Sequence, residues 1–165
     1  MIVIAPITLE NLPTFKQTRL RALQDTPSAF GSTYERESQM AEEEWQARVE
    51  RWSGKSGIGF LALEDGVAGG IAGCLLHPGN PSRAHLISMW TAPSHRQRGV
   101  GRMLVDSVAA WALSRGAAVL DLFVVANNDP ALRFYEHLGF IRTGRTQPHP
   151  NDPALIEYEM ARPLN

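Results

Sequence analysis

The chain predicts a single mixed α/β domain spanning residues 1–165, with elements in the order β-α-α-β-β-β-α-β-α-β-β. Three observations carry this. Runs rich in β-branched and apolar residues alternate with stretches whose apolar residues recur at helical spacing. The run Ala118 to Ala126 is almost wholly apolar, as a central strand must be. Between them, Leu86 to Trp111 reads LISMWTAPSHRQRGVGRMLVDSVAAW, a strand, a glycine-bearing turn and an amphipathic helix in succession. No repeat, low-complexity tract or linker divides the chain.

Ile2 to Ile7 is β-branched and predicts the first strand. Thr8 or Asn11 caps the helix that follows, with Pro13 in its first turn and Leu12, Phe15, Leu20 and Leu23 on one face. Asp25-Thr26-Pro27 stops it, and Pro27 to Ser32 is a loop. Ala41 to Trp52 predicts a second helix, with Trp45, Val49 and Trp52 on a stripe. Its acids Glu42, Glu43 and Glu44 suit the positive end of the helix dipole. Ile58 to Leu63 and Val67 to Leu76 form a hairpin about Asp65-Gly66. Gly69, Gly70 and Gly73 predict a bulge or a close backbone approach in its second strand. After a turn at His77 to Pro81 comes the strand Leu86 to Thr91. The helix from Val100 is closed by Gly116. Ala118 to Ala126 follows, and then a short helix with Asp129 as N-cap and Pro130 behind it, ended by Gly139. Phe140 to Arg145 and Ala154 to Met160 are the last strands, around a proline-bearing loop.

Bulk properties exclude several functions. Sixteen basic residues against seventeen acidic ones argue against a nucleic-acid partner, which needs a basic face. Cys74 is the only cysteine, so there is no internal disulfide and no cysteine metal cluster. The five histidines lack zinc-site spacing, and no metal is expected. Neither a signal peptide nor an apolar run long enough for a membrane span stands out, which predicts a cytoplasmic protein with no membrane partner.

The chemistry concentrates at Arg96-Gln97-Arg98-Gly99-Val100-Gly101-Arg102. Unpaired N–H groups and the dipole of a helix start hold anions, phosphate above all. A dinucleotide fingerprint would need a glycine where Leu104 stands. The Gly54-Lys55-Ser56 triplet lacks the glycine and the preceding strand of a phosphate loop. What Arg96, Gly99 and Gly101 do match is R/Q-x-x-G-x-G/A after a strand.

With that motif, the chain resembles the GNAT superfamily of N-acetyltransferases. A second signature, N-x-x-A followed by Tyr and Gly-Phe, stands as Asn128, Ala131, Tyr135, Gly139 and Phe140. The stretches Leu20 to Leu23 and Pro27 to Ser32 also look like the acceptor side of small members. The resemblance implies a mixed sheet with a V-shaped split between the fourth and fifth strands, and acetyl-CoA as co-substrate. Its pyrophosphate would lie on Arg96, Gln97, Arg98, Gly99, Val100, Gly101 and Arg102. Its pantetheine arm would run along the fourth strand at Trp90 and Thr91, with Asn128 as a further contact. An amine acceptor would attack the thioester directly in a ternary complex, and a homodimer is compatible with the family.

Tyr135 matches the family's general-acid tyrosine. Full proton transfer from a phenol to a thiolate is uphill by about 2 kcal/mol at reference pKa values, so a hydrogen bond to the leaving sulfur is the expected role. For the general base, Glu35, Ser88 through a water, and Asp121 are candidates. A non-catalytic acyl-CoA sensor on the same scaffold is the alternative. A nucleotide-binding protein rests on the glycine turn alone. The acceptor is left open among polyamines, amino acids, antibiotics and protein N-termini.

Overall fold

The computed structural model describes residues 1–165. Seven strands form one sheet: β1 Ile2–Pro6, β2 Gly57–Glu64, β3 Val67–His77, β4 Asn80–Thr91, β5 Val119–Val125, β6 Ile141–His149 and β7 Asp152–Pro163. The helices are α1 Leu12–Asp25, α2 Tyr34–Glu37, α3 Glu42–Arg51, α4 Val100–Ser114 and α5 Asp129–His137. In space the strands lie in the order β1-β2-β3-β4-β5-β7-β6. All neighbours are antiparallel except β4 and β5, which are parallel.

That parallel pair decides the architecture. It is joined only from Arg83 to His85 against Val119 to Asp121. Beyond His85 the strands separate, so β4 from Leu86 to Thr91 has no partner on that side. The V-shaped split implied by the resemblance is therefore present. Its cause includes an extra residue in β4: Gly73 pairs with Ile87 but Ile71 pairs with Trp90. Ser88 absorbs the surplus at φ +57°, a left-handed conformation rare outside glycine.

Two apolar layers sandwich the sheet. Val100, Leu104, Val108 and Ala112 of α4 pack with Leu120, Leu122, Tyr135 and Phe140 on one face. Phe15 and Leu23 of α1 pack with Trp45, Val49, Leu61, Ile71 and Trp90 on the other. Phe15 meets Trp45 edge-on at 5.8 Å. Close approach explains the glycines of β3: a Cβ on Gly69 would meet the His95 ring at 2.4 Å, and one on Gly73 the Trp52 ring at 2.6 Å. Gly69 is also the residue displaced where β2 and β3 slip register.

Several expected boundaries move. β4 begins at Asn80, not Leu86, because Pro78-Gly79 closes a tight hairpin with β3. β6 and β7 extend through Pro148 and Pro153 to a turn at Pro150-Asn151. β6 is an edge strand, where a missing N–H is tolerated. Asn128, not Asp129, caps α5: its side-chain oxygen accepts from the Ala131 N–H at 3.3 Å. Of the two candidate caps for α1, Asn11 holds the position, with its Oδ1 accepting from the Thr8 N–H and its Nδ2 donating to the Pro6 carbonyl. Helix α2, a single turn, was not expected from the sequence. No helix is long and apolar enough to cross a membrane.

Candidate active site

The split between β4 and β5 opens into a cleft of about 1130 Å³. Ten of the eleven residues assigned to the cofactor line it: Trp90, Thr91, Arg96, Gln97, Gly99, Val100, Gly101, Arg102, Asn128 and Tyr135. Arg98 does not. Its guanidinium makes two hydrogen bonds to the Glu64 carboxylate, at 3.1 and 2.6 Å, which hold that side chain outside the cleft lining. Arg96 reaches Asp25 at 2.5 Å and the Thr91 carbonyl at 3.0 Å, bracing the turn against α1 and β4. Trp90 is likewise turned into the α1 layer, where its indole N–H donates to Asp25 at 3.0 Å. The cation left with the weakest partner is Arg102, whose guanidinium is 3.9 Å from the exposed Asp106.

The turn into α4 exposes backbone rather than side chain. Gln97 has φ +61° and Gly99 φ +81°. Gly99 occupies the N-cap position with no side-chain cap, which leaves the first-turn N–H groups of α4 to a ligand. Gly101 is needed for space, since a Cβ there would lie 2.9 Å from the Phe134 ring and 3.3 Å from the Met89 methyl. These donors and the open edge of β4 are continuous along the cleft wall.

Tyr135 stands on the opposite wall, packed edge-on against Phe134 and Phe140. Burial pushes its phenol well above the ordinary value, so it stays protonated at neutral pH and keeps an O–H able to donate. Cys74 lies in the core, and burial raises its thiol to about 12, which removes it as a nucleophile.

Two of the three candidate bases fall away. Glu35 is exposed on α2 and does not line the cleft. Asp121 is 1 % exposed and does not line it either. Ser88 does line it, and its hydroxyl accepts from Arg19 at 3.0 Å.

Asp121 instead orients His85, a histidine that no spacing in the sequence singles out. At the point of the V, His85 Nδ1 is 2.5 Å from Asp121 Oδ1, while Arg83 Nε and His77 Nε2 lie 2.8 and 2.9 Å from Oδ2. Burial alone would raise the Asp121 carboxyl. The hydrogen bond and charge of His85, then those of Arg83 and His77, outweigh it and hold the group below the usual carboxylate range. An ionised carboxylate only accepts hydrogen bonds, so the group His85 presents to it is Nδ1–H, and Nε2 is the ring nitrogen left for other partners. His85 itself lines the cleft. The sequence signal for this pair was the lone charge in the apolar strand Ala118 to Ala126, which must find a partner.

The ligand atoms of His77, His85 and Asp121 also lie within 4.8 Å of one another, which is metal-site geometry that linear spacing did not show. Arg83 already places a positive charge on the same carboxylate oxygen, which favours the hydrogen-bonded arrangement over a cation.

Known proteins share this architecture. A putative acetyltransferase, yncA from Salmonella typhimurium, solved with its cofactor acetyl-CoA, superposes with a TM-score of 0.80 at 18 % identity, over 100 % of this chain and 95 % of that one. The mycothiol acetyltransferase of Thermomonospora curvata is 35 % identical over 101 residues, 61 % of this chain and 33 % of that protein. The streptothricin acetyltransferase of Streptomyces lavendulae is 43 % identical over 53 residues, 32 % of this chain and 28 % of that protein. The matched regions thus span a third or less of these two relatives' length. Residues 20–140 match the profile of the acetyltransferase (GNAT) family, from α1 through the cleft to the start of β6. With the split sheet, the glycine turn and the Asn128 to Phe140 signature in their places, the chain belongs to the acetyltransferase (GNAT) family.

Proposed function

We propose that this protein transfers the acetyl group of acetyl-CoA to an amine, by direct attack within a ternary complex. The observation that carries the proposal is the continuity of the cleft. One wall runs from the unpaired edge of β4 to the uncapped start of α4, and the other bears Asn128 and Tyr135. An extended arm with two amides pairs with a free strand edge as an added strand would. A pyrophosphate at its end suits the α4 N–H groups, with Arg102 beside them.

In this reading the thioester carbonyl lies near the bulge at Ser88, where a backbone N–H faces the split and stabilises the developing oxyanion. His85, held by Asp121, takes a proton from the attacking ammonium at Nε2, directly or through a water. The amine lone pair then forms the new C–N bond, the nitrogen gives up its second proton to solvent, and collapse of the tetrahedral adduct breaks the C–S bond with its electron pair leaving on the CoA thiolate. Tyr135 donates a hydrogen bond to the departing thiolate. Burial makes complete proton transfer from this phenol still less favourable than the reference values imply.

Calorimetry with acetyl-CoA, followed by release of free CoA thiol with an amine panel, tests the proposal. Saturable acetyl-CoA binding with amine-dependent thiol release is the expected result. Tight binding with no turnover on any amine would establish the sensor alternative instead.

A further inference from the structure

A second, smaller pocket of about 210 Å³ branches from the cleft, sharing Arg19, Ile87 and Ser88 with it. It lies between α1, α3 and the sheet. Phe15, Trp52, Leu75 and Ile87 make apolar walls, and Arg19, Arg48 and Arg51 supply charge. No acidic residue lines it. Behind the wall, Glu37 of α2 is the single counter-charge. Its Oε1 accepts from Arg19 Nε at 2.9 Å and from Arg48 at 2.7 Å, and its Oε2 accepts from Arg19 at 3.0 Å. Burial would raise Glu37, but Arg19 first and then Arg48 hold it at about 2, so it is ionised at any working pH. Two guanidiniums, with side chains 8 % and 20 % exposed, therefore share one carboxylate. Arg51 lies beside them with no ion pair of its own. Positive charge held in a partly dry pocket calls for an anion.

Position relates the pocket to the reaction. Arg19 also donates to the Ser88 hydroxyl, and Ser88 is the left-handed bulge residue of β4. A molecule seated in the pocket would lead out past Ser88, into the cleft at the level of His85.

We propose that this pocket selects the acceptor, and that the acceptor is an amine carrying a carboxylate on an apolar body, of the amino-acid type. The planar carboxylate meets the guanidinium fork of Arg51, which suits it bidentately, while Arg48, already bonded to Glu37 and Met40, adds positive charge beside it. The apolar body lies on Phe15, Trp52 and Ile87, and the amine reaches the bulge. Polycationic acceptors are disfavoured by the same charges. This assignment rests on the acetyltransferase reading, and the experiment separates the two.

Purified protein is supplied with acetyl-CoA and with amines matched in skeleton but differing in the carboxylate: L-leucine against isopentylamine, L-phenylalanine against phenethylamine, and L-lysine against cadaverine. Kanamycin serves as a polycation. The expected kcat/KM is at least tenfold higher for the carboxylate-bearing member of a pair, with no use of kanamycin. In Arg51→Glu, and more mildly in Arg51→Gln, that ratio collapses towards parity, mainly through KM. Arg51 is on the surface, so these variants are expected to fold. Equal or greater use of the carboxylate-free amines, use of kanamycin alone, absence of turnover with every carboxylate-bearing amine, or an undiminished ratio in Arg51→Glu overturns the pocket assignment. If acetyl-CoA itself does not bind by calorimetry, the acetyltransferase reading falls first.

Discussion

His85 carries the sharpest single-residue consequence. Its imidazole lines the cleft with Nδ1 bound to a buried carboxylate, so only Nε2 is available as a base. Positioned proton transfer contributes about 10²–10⁴-fold. His85→Gln is therefore expected to lower kcat by about a hundredfold or more while the Kd for acetyl-CoA stays within twofold. His77→Gln, which removes another partner of Asp121 but does not touch the cleft, should change turnover only a few-fold. Equal losses in the two variants would assign the cluster to structure alone. If Tyr135 serves the leaving thiolate as proposed, Tyr135→Phe removes one hydrogen bond worth about 1.5–3 kcal/mol, and kcat should fall roughly ten- to hundredfold. Acetyl-CoA affinity, measured by calorimetry, should be unaltered.

Among the elements, β4 and the turn into α4 do most of the positioning. The bulge at Ser88 and the short ladder with β5 free one edge of β4 for a ligand. At the helix start, Gly101→Ala would set a methyl 2.9 Å from the Phe134 ring, pushing that ring where the cleft wall runs. About tenfold weaker acetyl-CoA binding is expected, equivalent to ~1.4 kcal/mol, with little change in melting temperature. Gly99→Ala has open space around its Cβ but a φ of +81°. It should cost about 1–2 kcal/mol of stability, read by urea unfolding. The glycine turn was legible in the sequence because glycine spacing reports backbone conformation directly. The fate of its arginines was not. Arg98 goes to Glu64 and Arg96 to Asp25, partners 34 and 71 residues away, whose proximity only the sheet and the α1 packing create. Helix α2 escaped notice for a related reason. One turn has too few positions to show a period, and it is held by its Thr33 cap and by Glu37 reaching Arg19 and Arg48.

For the molecule as a whole, α1, α2 and α3 are tied together through a nearly fully buried carboxylate. Glu37→Gln would leave two guanidiniums without their shared counter-charge, and a loss of about 3–5 kcal/mol is expected. The same group sets an acid limit. Its folded-state value, about 2, lies below its ordinary 4.5, so its contribution is complete above pH 4.5 and is lost as pH falls towards 2. Asp121, also held low by its partners, adds to the loss in the same direction. Melting temperature recorded between pH 5 and 2 should fall steeply, and Glu37→Gln, already less stable, should show a shallower decline.

The sequence by itself determined the order of the seven strands along the chain, the four longer helices, the mixed α/β architecture and the two signatures, Arg96 to Gly101 and Asn128 to Phe140. Each is a local property: periodicity, a glycine at a special backbone position, a cap before a helix. Tertiary structure alone decided that Arg98 leaves the cleft, that Asp121 braces His85 instead of facing the cleft, and that Arg19, Arg48 and Arg51 gather on one pocket. Those outcomes depend on which distant segments share a sheet register or a helix contact. A buried charge in the chain announces that it needs a partner, and the fold chooses which one arrives.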